Sequence, residues 1–528
     1  MSPARANKKV RGQIWFVGAG PGDPELLTLR SVAALADAEV VVIDADVPAD
    51  TFLARCPSDV EVHQAEADAA ANGKLVVREA KAGRTVVRLV SGDPAVFGPY
   101  AEEAAACAKA GLPYELLPGI SSSIAVPAYA GVPLTTSKRR EVRVLSAADV
   151  AEAGIVEASN ATVVAVDAQS VLPATAAAFV AGGRDEATPV AVTWHGTSTR
   201  QRTVVSTLGS VAADTKDGDT DTPAVLVVGD VVGQRERLSW FETKPLFGWR
   251  VLIPRTREQA APLTDRLRRY GGVPEEVPTI SVEPPRTPQQ MERAVKGLVN
   301  GSYEWLVFTS ANAVRAVKER FTEYGLDARA FAGVKIAAIG EQTAASIEAW
   351  GIRPDLVPSG QQSSEGLLEE FPPYDSVFDP INKVLLPRAD IATETLVAGL
   401  ERLGWEAEDV TAYRTVRAAP PPAETREAIK SGGFDAVLFT SSSTVRNLVG
   451  IAGKPHATTV VGVIGPQTAE TAAEFGLRVD VTASTPNALL LADEVAEFAA
   501  NRRDEMLEAG QPFRRPSEMR RGARRRNK

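Results

Sequence analysis

The sequence predicts an α/β protein of three layered units followed by a basic tail, and three observations carry that prediction. Short β-branched runs alternate along the chain with Ala/Leu/Glu/Arg-rich stretches; examples are Val40-Val41-Val42-Ile43, Val225-Leu226-Val227-Val228 and Ala436-Val437-Leu438-Phe439. Strands alternating with helices imply mainly parallel sheet. A length of 528 residues suits roughly three domains. The C-terminal half also repeats itself. Phe308-Thr309-Ser310-Ala311-Asn312-Ala313-Val314 returns as Phe439-Thr440-Ser441-Ser442-Ser443-Thr444-Val445, and Ile339-Gly340-Glu341-Gln342-Thr343-Ala344 returns as Ile464-Gly465-Pro466-Gln467-Thr468-Ala469. Pro254-Arg255 returns as Pro387-Arg388, so three markers recur in one order about 130 residues apart, the mark of a duplicated domain. Two similar lobes make a cleft, where ligands usually bind.

Composition narrows the function classes. The apolar fraction of 44% and charged fraction of 24% are ordinary for soluble globular protein. Cys56 and Cys107 are the only cysteines, which argues against a disulfide scaffold and suits a reducing, cytoplasmic setting. His63, His195 and His456 show no ligand spacing, so no metal is expected. No apolar run approaches the roughly 20 residues of a membrane helix, and the polar, basic Met1–Arg11 does not read as a signal peptide. The net charge of −9 hides an asymmetry, since residues 514–528 carry eight Arg or Lys and one Glu. With no recognition fold beside it, this segment reads as a solvated end rather than a nucleic-acid contact. Oligomeric state is not legible.

From the N-terminus, the strand Ile14-Trp15-Phe16-Val17 runs into Gly18-Ala19-Gly20-Pro21-Gly22-Asp23-Pro24. Pro21 and Pro24 remove backbone donors where a dinucleotide fingerprint would open its helix, which argues against a nicotinamide site. Glu25 to Arg30 lead into the helix instead. Two further Gly/Ser loops follow, Ser91-Gly92-Asp93-Pro94-Ala95-Val96-Phe97-Gly98 and Leu117-Pro118-Gly119-Ile120-Ser121-Ser122-Ser123. A boundary falls near Lys244-Pro245-Leu246-Phe247-Gly248-Trp249, before the new strand Val251-Leu252-Ile253. Glu283-Pro284-Pro285 and Pro420-Pro421-Pro422 read as crossovers bracketing the middle lobe.

Each Phe-Thr-Ser phrase has the grammar of a strand that ends and a helix that starts, with Val314 to Arg320 helix-like. Thr309, Ser310, Thr440, Ser441 and Ser442 then lie beside open backbone N–H groups, a ready site for carboxylate or phosphate. Thr343 and Thr468 of the Gly-x-Gln-Thr-Ala turns share that logic.

These markers, with Ser364-Glu365-Gly366-Leu367-Leu368 and Tyr413-Arg414-Thr415, make residues 249–500 resemble uroporphyrinogen-III synthase. The resemblance implies cyclisation of the linear tetrapyrrole hydroxymethylbilane with loss of water and inversion of ring D, serving haem, sirohaem or cobalamin biosynthesis without a cofactor. It implies a discontinuous lobe (249–282 plus 416–500) around a second lobe (283–415). It places Tyr413 as the residue assisting hydroxyl departure, and Arg255, Thr309, Ser310, Thr343, Ser364, Arg388, Thr440, Ser441, Ser442 and Thr468 as contacts for the eight substrate carboxylates. Arg255 and Arg388 at strand ends suit bidentate carboxylate pairing or sheet-edge capping.

Residues 12–248, by their Gly/Ser loops, Thr188-Pro189-Val190-Ala191 and Lys244-Pro245-Leu246-Phe247-Gly248, resemble uroporphyrinogen-III C-methyltransferase. That resemblance implies S-adenosylmethionine held by Pro21, Gly92, Asp93, Ser121, Ser122, Ala191 and Ala224, with Asp44 as a catalytic residue. The departures are substantial. Only the Asp of the family's Tyr-Asp-Arg-Leu survives in Ile43-Asp44-Ala45-Asp46-Val47. The basic loop after Val62 becomes His63-Gln64-Ala65-Glu66-Ala67-Asp68, Arg-Gly-Gly becomes Pro99-Tyr100-Ala101, and Asp167 stands where Met is expected. Each lost charge-assisted pair weakens polycarboxylate binding by about 1.5–3 kcal/mol, so methylation is expected to be lost or altered. Three readings stand: a synthase with a divergent methylase-like domain, a bifunctional synthase and methylase, and a non-catalytic tetrapyrrole-binding scaffold docking neighbouring pathway enzymes. The expected domains are a basic extension 1–11, the units above, and a tail from 501 to 528.

Overall fold

The computed structural model describes residues 12–519, apart from Asp217, Asp219, Ala392 and Thr393; the basic extension 1–11 and the arginine-rich end from 520 lie outside the described residues. Two compact units result. The first takes in the chain up to Trp249 together with Leu267–Val273 and Ala496–Gly510, and the second takes in Arg250–Arg266 and Pro274–Val495.

The first unit holds two five-stranded sheets. One is wholly parallel, in the order Glu61–Gln64, Val40–Ile43, Val86–Val90, Ile14–Gly18, Glu115–Leu117. Its strands are near-continuous apolar runs because both faces are covered. Val17, Val41, Val87 and Leu89 pack on one side, while Ile14, Phe16, Val42 and Val86 pack on the other. The second sheet departs from the expected parallel pattern. Val142–Ser146 and Thr162–Val166 are parallel, but Ala224–Val228 runs antiparallel to both Thr162–Val166 and Pro189–Trp194, which forms a hairpin with Arg202–Thr207. The connection 195–201 is too short for the helical crossover that a parallel neighbour demands.

The second unit also holds two five-stranded sheets. Arg250–Ile253 lies beside Val273–Glu276 and pairs with Ala436–Phe439, which continues to Val460–Val463 and Val481–Thr482. The other sheet runs Ile280–Glu283, Glu406–Arg417, Lys383–Ala389, Trp305–Phe308, Lys335–Ala338. Alternate residues of its central strands feed separate cores, Leu306, Phe308 and Leu385 on one face and Trp305, Val307 and Leu386 on the other. Burying each such side chain contributes about 1.5–3 kcal/mol. The two crossovers touch, Ala418 N donating to Thr279 O at 3.2 Å.

Boundaries drawn from the proline-rich stretches fall a few residues off. Ile280–Glu283 pairs antiparallel with Arg414–Arg417, so residues 280–282 and 416–417 belong to the sheet of the middle lobe. The expected tail boundary at 501 lies inside the helix Ala488–Glu508. That helix is held at its end by Arg503, whose guanidinium donates to Thr243 O at 2.6 Å. Among the described residues, no helix is long and apolar enough to cross a membrane.

Candidate active sites

In the first unit the Gly/Ser loops converge on the C-terminal ends of the parallel strands. Gly20 and Gly92 exchange backbone hydrogen bonds of 3.1 and 3.0 Å, and Ala19 N donates to Val90 O at 2.7 Å. The packing is backbone on backbone. A Cβ on Gly119 would stand 2.1 Å from Gly92 O, and one on Gly18 would stand 2.4 Å from Gly119 N. Only glycine allows this approach.

Beside the cluster lies a cavity of about 210 Å³ lined by Pro21, Ser122 and Ala224 together with Asp46, Asp167 and His195. The other four residues predicted for the cofactor do not line it. Gly92 is tied into the Gly20 bridge, and Asp93 accepts from Ala95 N at 2.8 Å. Ser121 caps the helix Ser122–Tyr129, while Ala191 is buried in the sheet against Val227.

Two cavity residues adopt left-handed backbone, Asp167 with φ 56° and His195 with φ 49°. Such conformations cost about 1–3 kcal/mol each and concentrate at functional sites. Asp167 opens onto the cavity yet is crowded by protein; burial first, and then the charge of Asp46, push its carboxyl above the usual range. Sequence reasoning missed His195 and Asp46, because nothing in the composition marks a left-handed residue or a cavity wall.

Asp44 does not stand as an available catalytic carboxylate. One oxygen pairs with the Arg88 guanidinium at 2.6 Å and the other accepts from Ser91 N at 3.1 Å. Arg88, fully buried, also bonds Glu103 at 2.9 Å. Burial raises the Glu103 carboxyl despite the opposing pull of Arg88. Asp44 therefore anchors the Ser91 loop to a buried ion cluster.

In the second unit both Phe-Thr-Ser phrases open helices at strand ends. Ser310 caps Ala311–Glu323, accepting from Ala313 N at 3.2 Å. Ser441 caps Ser442–Ala452 and exchanges bonds with Thr444 in a capping box. The copies differ in what the serines meet next. Ser310 Oγ lies 3.0 Å from the hydroxyl of Tyr413, on the strand Glu406–Arg417, whereas its counterpart Ser441 Oγ lies 2.9 Å from Ser443 Oγ and the next residue, Ser442, donates to Gln467 O at 3.1 Å. Tyr413 is 7% exposed, and its ring joins the core of Phe308 and Val410.

Thr309, Thr440, Ser441 and Ser442 are half-buried at the helix starts. Ser364 occupies the first turn of Ser364–Glu370, which is capped by Ser363. Thr343 and Thr468 are buried beneath their helices, so they are not placed for direct contact with a ligand. The Gly340 turn, with φ 85°, is covered by Gln362, which accepts from Glu341 N at 3.4 Å.

The duplicated arginines have diverged. Arg388 is buried and gives both edges of its fork to Asp409 on the adjacent strand, one bond being 2.6 Å. Its predicted role as a carboxylate-binding residue is thereby taken by a structural pair. Arg255 is half-buried with no ion-pair partner among the described residues, and burial alone lowers its pKa.

A family model described as uroporphyrinogen-III synthase HemD matches residues 261–491, and one described as tetrapyrrole (corrin/porphyrin) methylases matches residues 13–212. The uroporphyrinogen-III C-methyltransferase of Bacillus subtilis is 30% identical over 74% of this chain and 88% of its own length. The chain belongs to the tetrapyrrole methylase family, fused to a uroporphyrinogen-III synthase-family domain. The porphyrin biosynthesis protein HemD of Ruminiclostridium josui spans the whole fusion, at 29% identity over 88% of this chain and 94% of its own. An S-adenosyl-L-methionine-dependent uroporphyrinogen III methyltransferase of Methanosarcina barkeri is 36% identical over 42% of this chain and 92% of its own. Most of the cavity lining thus falls within the methylase match, Tyr413 and Ser310 fall within the synthase match, and Arg255 lies just ahead of it.

Proposed function

We propose that the synthase domain cyclises hydroxymethylbilane to uroporphyrinogen III with inversion of ring D. The observation that carries this reading is the Ser310–Tyr413 hydrogen bond, which ties the Phe-Thr-Ser helix start to a phenol able to donate a proton. The substrate is polyanionic, and departure of its terminal hydroxyl needs a proton. Tyr413 supplies that proton while Ser310 fixes the direction of its hydroxyl. The half-buried Arg255 and the helix starts at Thr309-Ser310 and Thr440-Ser441-Ser442 hold acetate or propionate groups. Holding the chain so that closure inverts ring D is chiefly a matter of positioning.

The methylase domain suits S-adenosylmethionine, because Gly20 and Gly22 line the cavity beside Pro21, in a loop cluster where Gly18 and Gly119 pack so closely that a Cβ on either would strike backbone. Pro21, Ser122 and Ala224 would wall it; when bound, the group supplies a methyl cation equivalent. Acceptor binding is the weaker part, since Glu66 and Asp68 stand where the family is basic. Our reading is therefore a synthase with a methylase domain of lost or altered activity. The runner-up is a bifunctional enzyme, favoured by the intact glycine loops beside the cavity.

Supplying hydroxymethylbilane with and without S-adenosylmethionine separates the readings. Type III product alone supports the first, methylated product supports the second, and only type I isomer leaves a binding protein.

A further inference from the structure

A second cavity in the methylase domain is assigned by none of the above. It measures about 360 Å³ and is lined by Arg139, Arg184, Asn160, Thr188, Asp185 and Asp230, among others. It lies at the opposite end of the mixed sheet from the first cavity. Thr162 opens the strand Thr162–Val166 at this cavity, and the next residue after that strand, Asp167, lines the other one. Ala224–Val228 runs back antiparallel, from Ala224 at the first cavity to Gly229 at the second. Five residues of strand separate the sites by about 17 Å.

The charges of this cavity are unevenly matched. Asp230 is engaged by Arg139 at 2.5 Å. Asp185 turns back on its own backbone, accepting from Ala187 N at 2.8 Å. Arg143 is paired with Glu141 at 3.1 Å. Arg184 is left over: one of its nitrogens donates to Ala161 O at 2.8 Å, but its Nε is buried and unbonded, and no carboxylate pairs with it among the described residues. The guanidinium lies over the Phe179 ring at 5.8 Å. Burial first, and then repulsion from Arg143, lowers its pKa against the opposing charge of Asp230. Arg184 lines the cavity with one bond to a carbonyl and no paired carboxylate, and such a half-buried cation is costly unless an anion in the cavity completes it.

We propose that this cavity binds a small oxyanion-bearing molecule, with Arg184 as the principal donor and Arg139, Asn160 and Thr188 as secondary donors. Its volume exceeds that of a single ion and falls in the range of small-molecule sites. A planar fork suits either a carboxylate or a phosphate, so the chemistry on offer is shared by both.

Titration calorimetry of the full chain at low salt tests the proposal, with pyrophosphate in one arm and citrate in the other. One arm should show saturable one-site binding in the sub-millimolar range, and which arm does so identifies phosphate or carboxylate. Arg184→Gln should weaken that binding about tenfold or more, as expected for loss of one charge-assisted pair. Asp230→Asn, which releases Arg139 and removes a competing carboxylate, should tighten it several-fold. Absence of binding in both arms overturns the proposal, as does equal affinity in wild type and Arg184→Gln, which would mean an adventitious ion only. Should Arg184→Gln fail to fold, Asp230→Asn decides alone: tighter binding supports the site, and unchanged or weaker binding overturns it.

Discussion

The hydroxyl of Tyr413 meets Ser310 Oγ at 3.0 Å, joining the last long strand of the middle lobe to the helix start of the first Phe-Thr-Ser phrase. One hydroxyl thus does two jobs. It caps a helix through Ala313 N, and it orients a phenol whose ring is locked in the core.

Replacing Tyr413 with Phe removes the proton donor and leaves the ring packing intact. The expected result is a fall in kcat of about 10²-fold with little change in KM. Stability should fall by only about 1 kcal/mol, the net worth of one hydrogen bond. Steady-state kinetics beside thermal unfolding checks both.

Arg255 and Arg388 should separate binding from folding although they are duplicates. Arg255→Gln is expected to raise KM about tenfold or more while leaving the melting temperature unchanged or higher, since a half-buried cation is removed. Arg388→Gln breaks the fork on Asp409. Because Asp409 is partly exposed, a loss of about 1–3 kcal/mol is expected, read by chemical denaturation.

How much of this was legible in the sequence varies by residue. The duplication fixed which segments form strands and helix starts, and Ser310 and Ser441 do cap, because strand-turn-helix grammar is local. The Arg388–Asp409 pair was not legible. It joins neighbouring strands through a side-chain register that no local pattern records. The Asp44–Arg88 pair was not legible for the same reason, since Arg88 reaches Asp44 only once Val40–Ile43 and Val86–Val90 lie side by side. The left-handed His195 and the antiparallel hairpin after it depend on a short connection whose conformation the residues alone do not announce.

Asp167 yields a pH prediction. Its carboxyl is raised in the folded chain, so the folded state holds a proton that the unfolded chain gives up near pH 4. The sign follows: this group's contribution to stability declines as pH rises from about 4 through the raised folded value. Asp167→Asn, which also tolerates left-handed backbone, should stabilise the protein at neutral pH and flatten that part of the pH–stability curve. Unfolding midpoints from pH 4 to 8 for both proteins test it; parallel curves would contradict the assignment.

Gly119→Ala drives a Cβ against Gly92 O and should disrupt the packed glycine loops beside the cavity. Binding of S-adenosylhomocysteine, measured by calorimetry, is expected to be lost, whereas type III isomer formation by the synthase domain is expected to persist.

The most direct test of the central claim is the ratio of type III to type I uroporphyrinogen formed from hydroxymethylbilane by the purified full-length chain, beside its Tyr413→Phe variant and a protein-free control. The account predicts nearly all type III with the wild type, a much slower type III yield overtaken by type I with the variant, and type I alone without protein. A wild-type product no richer in type III than the control would contradict it.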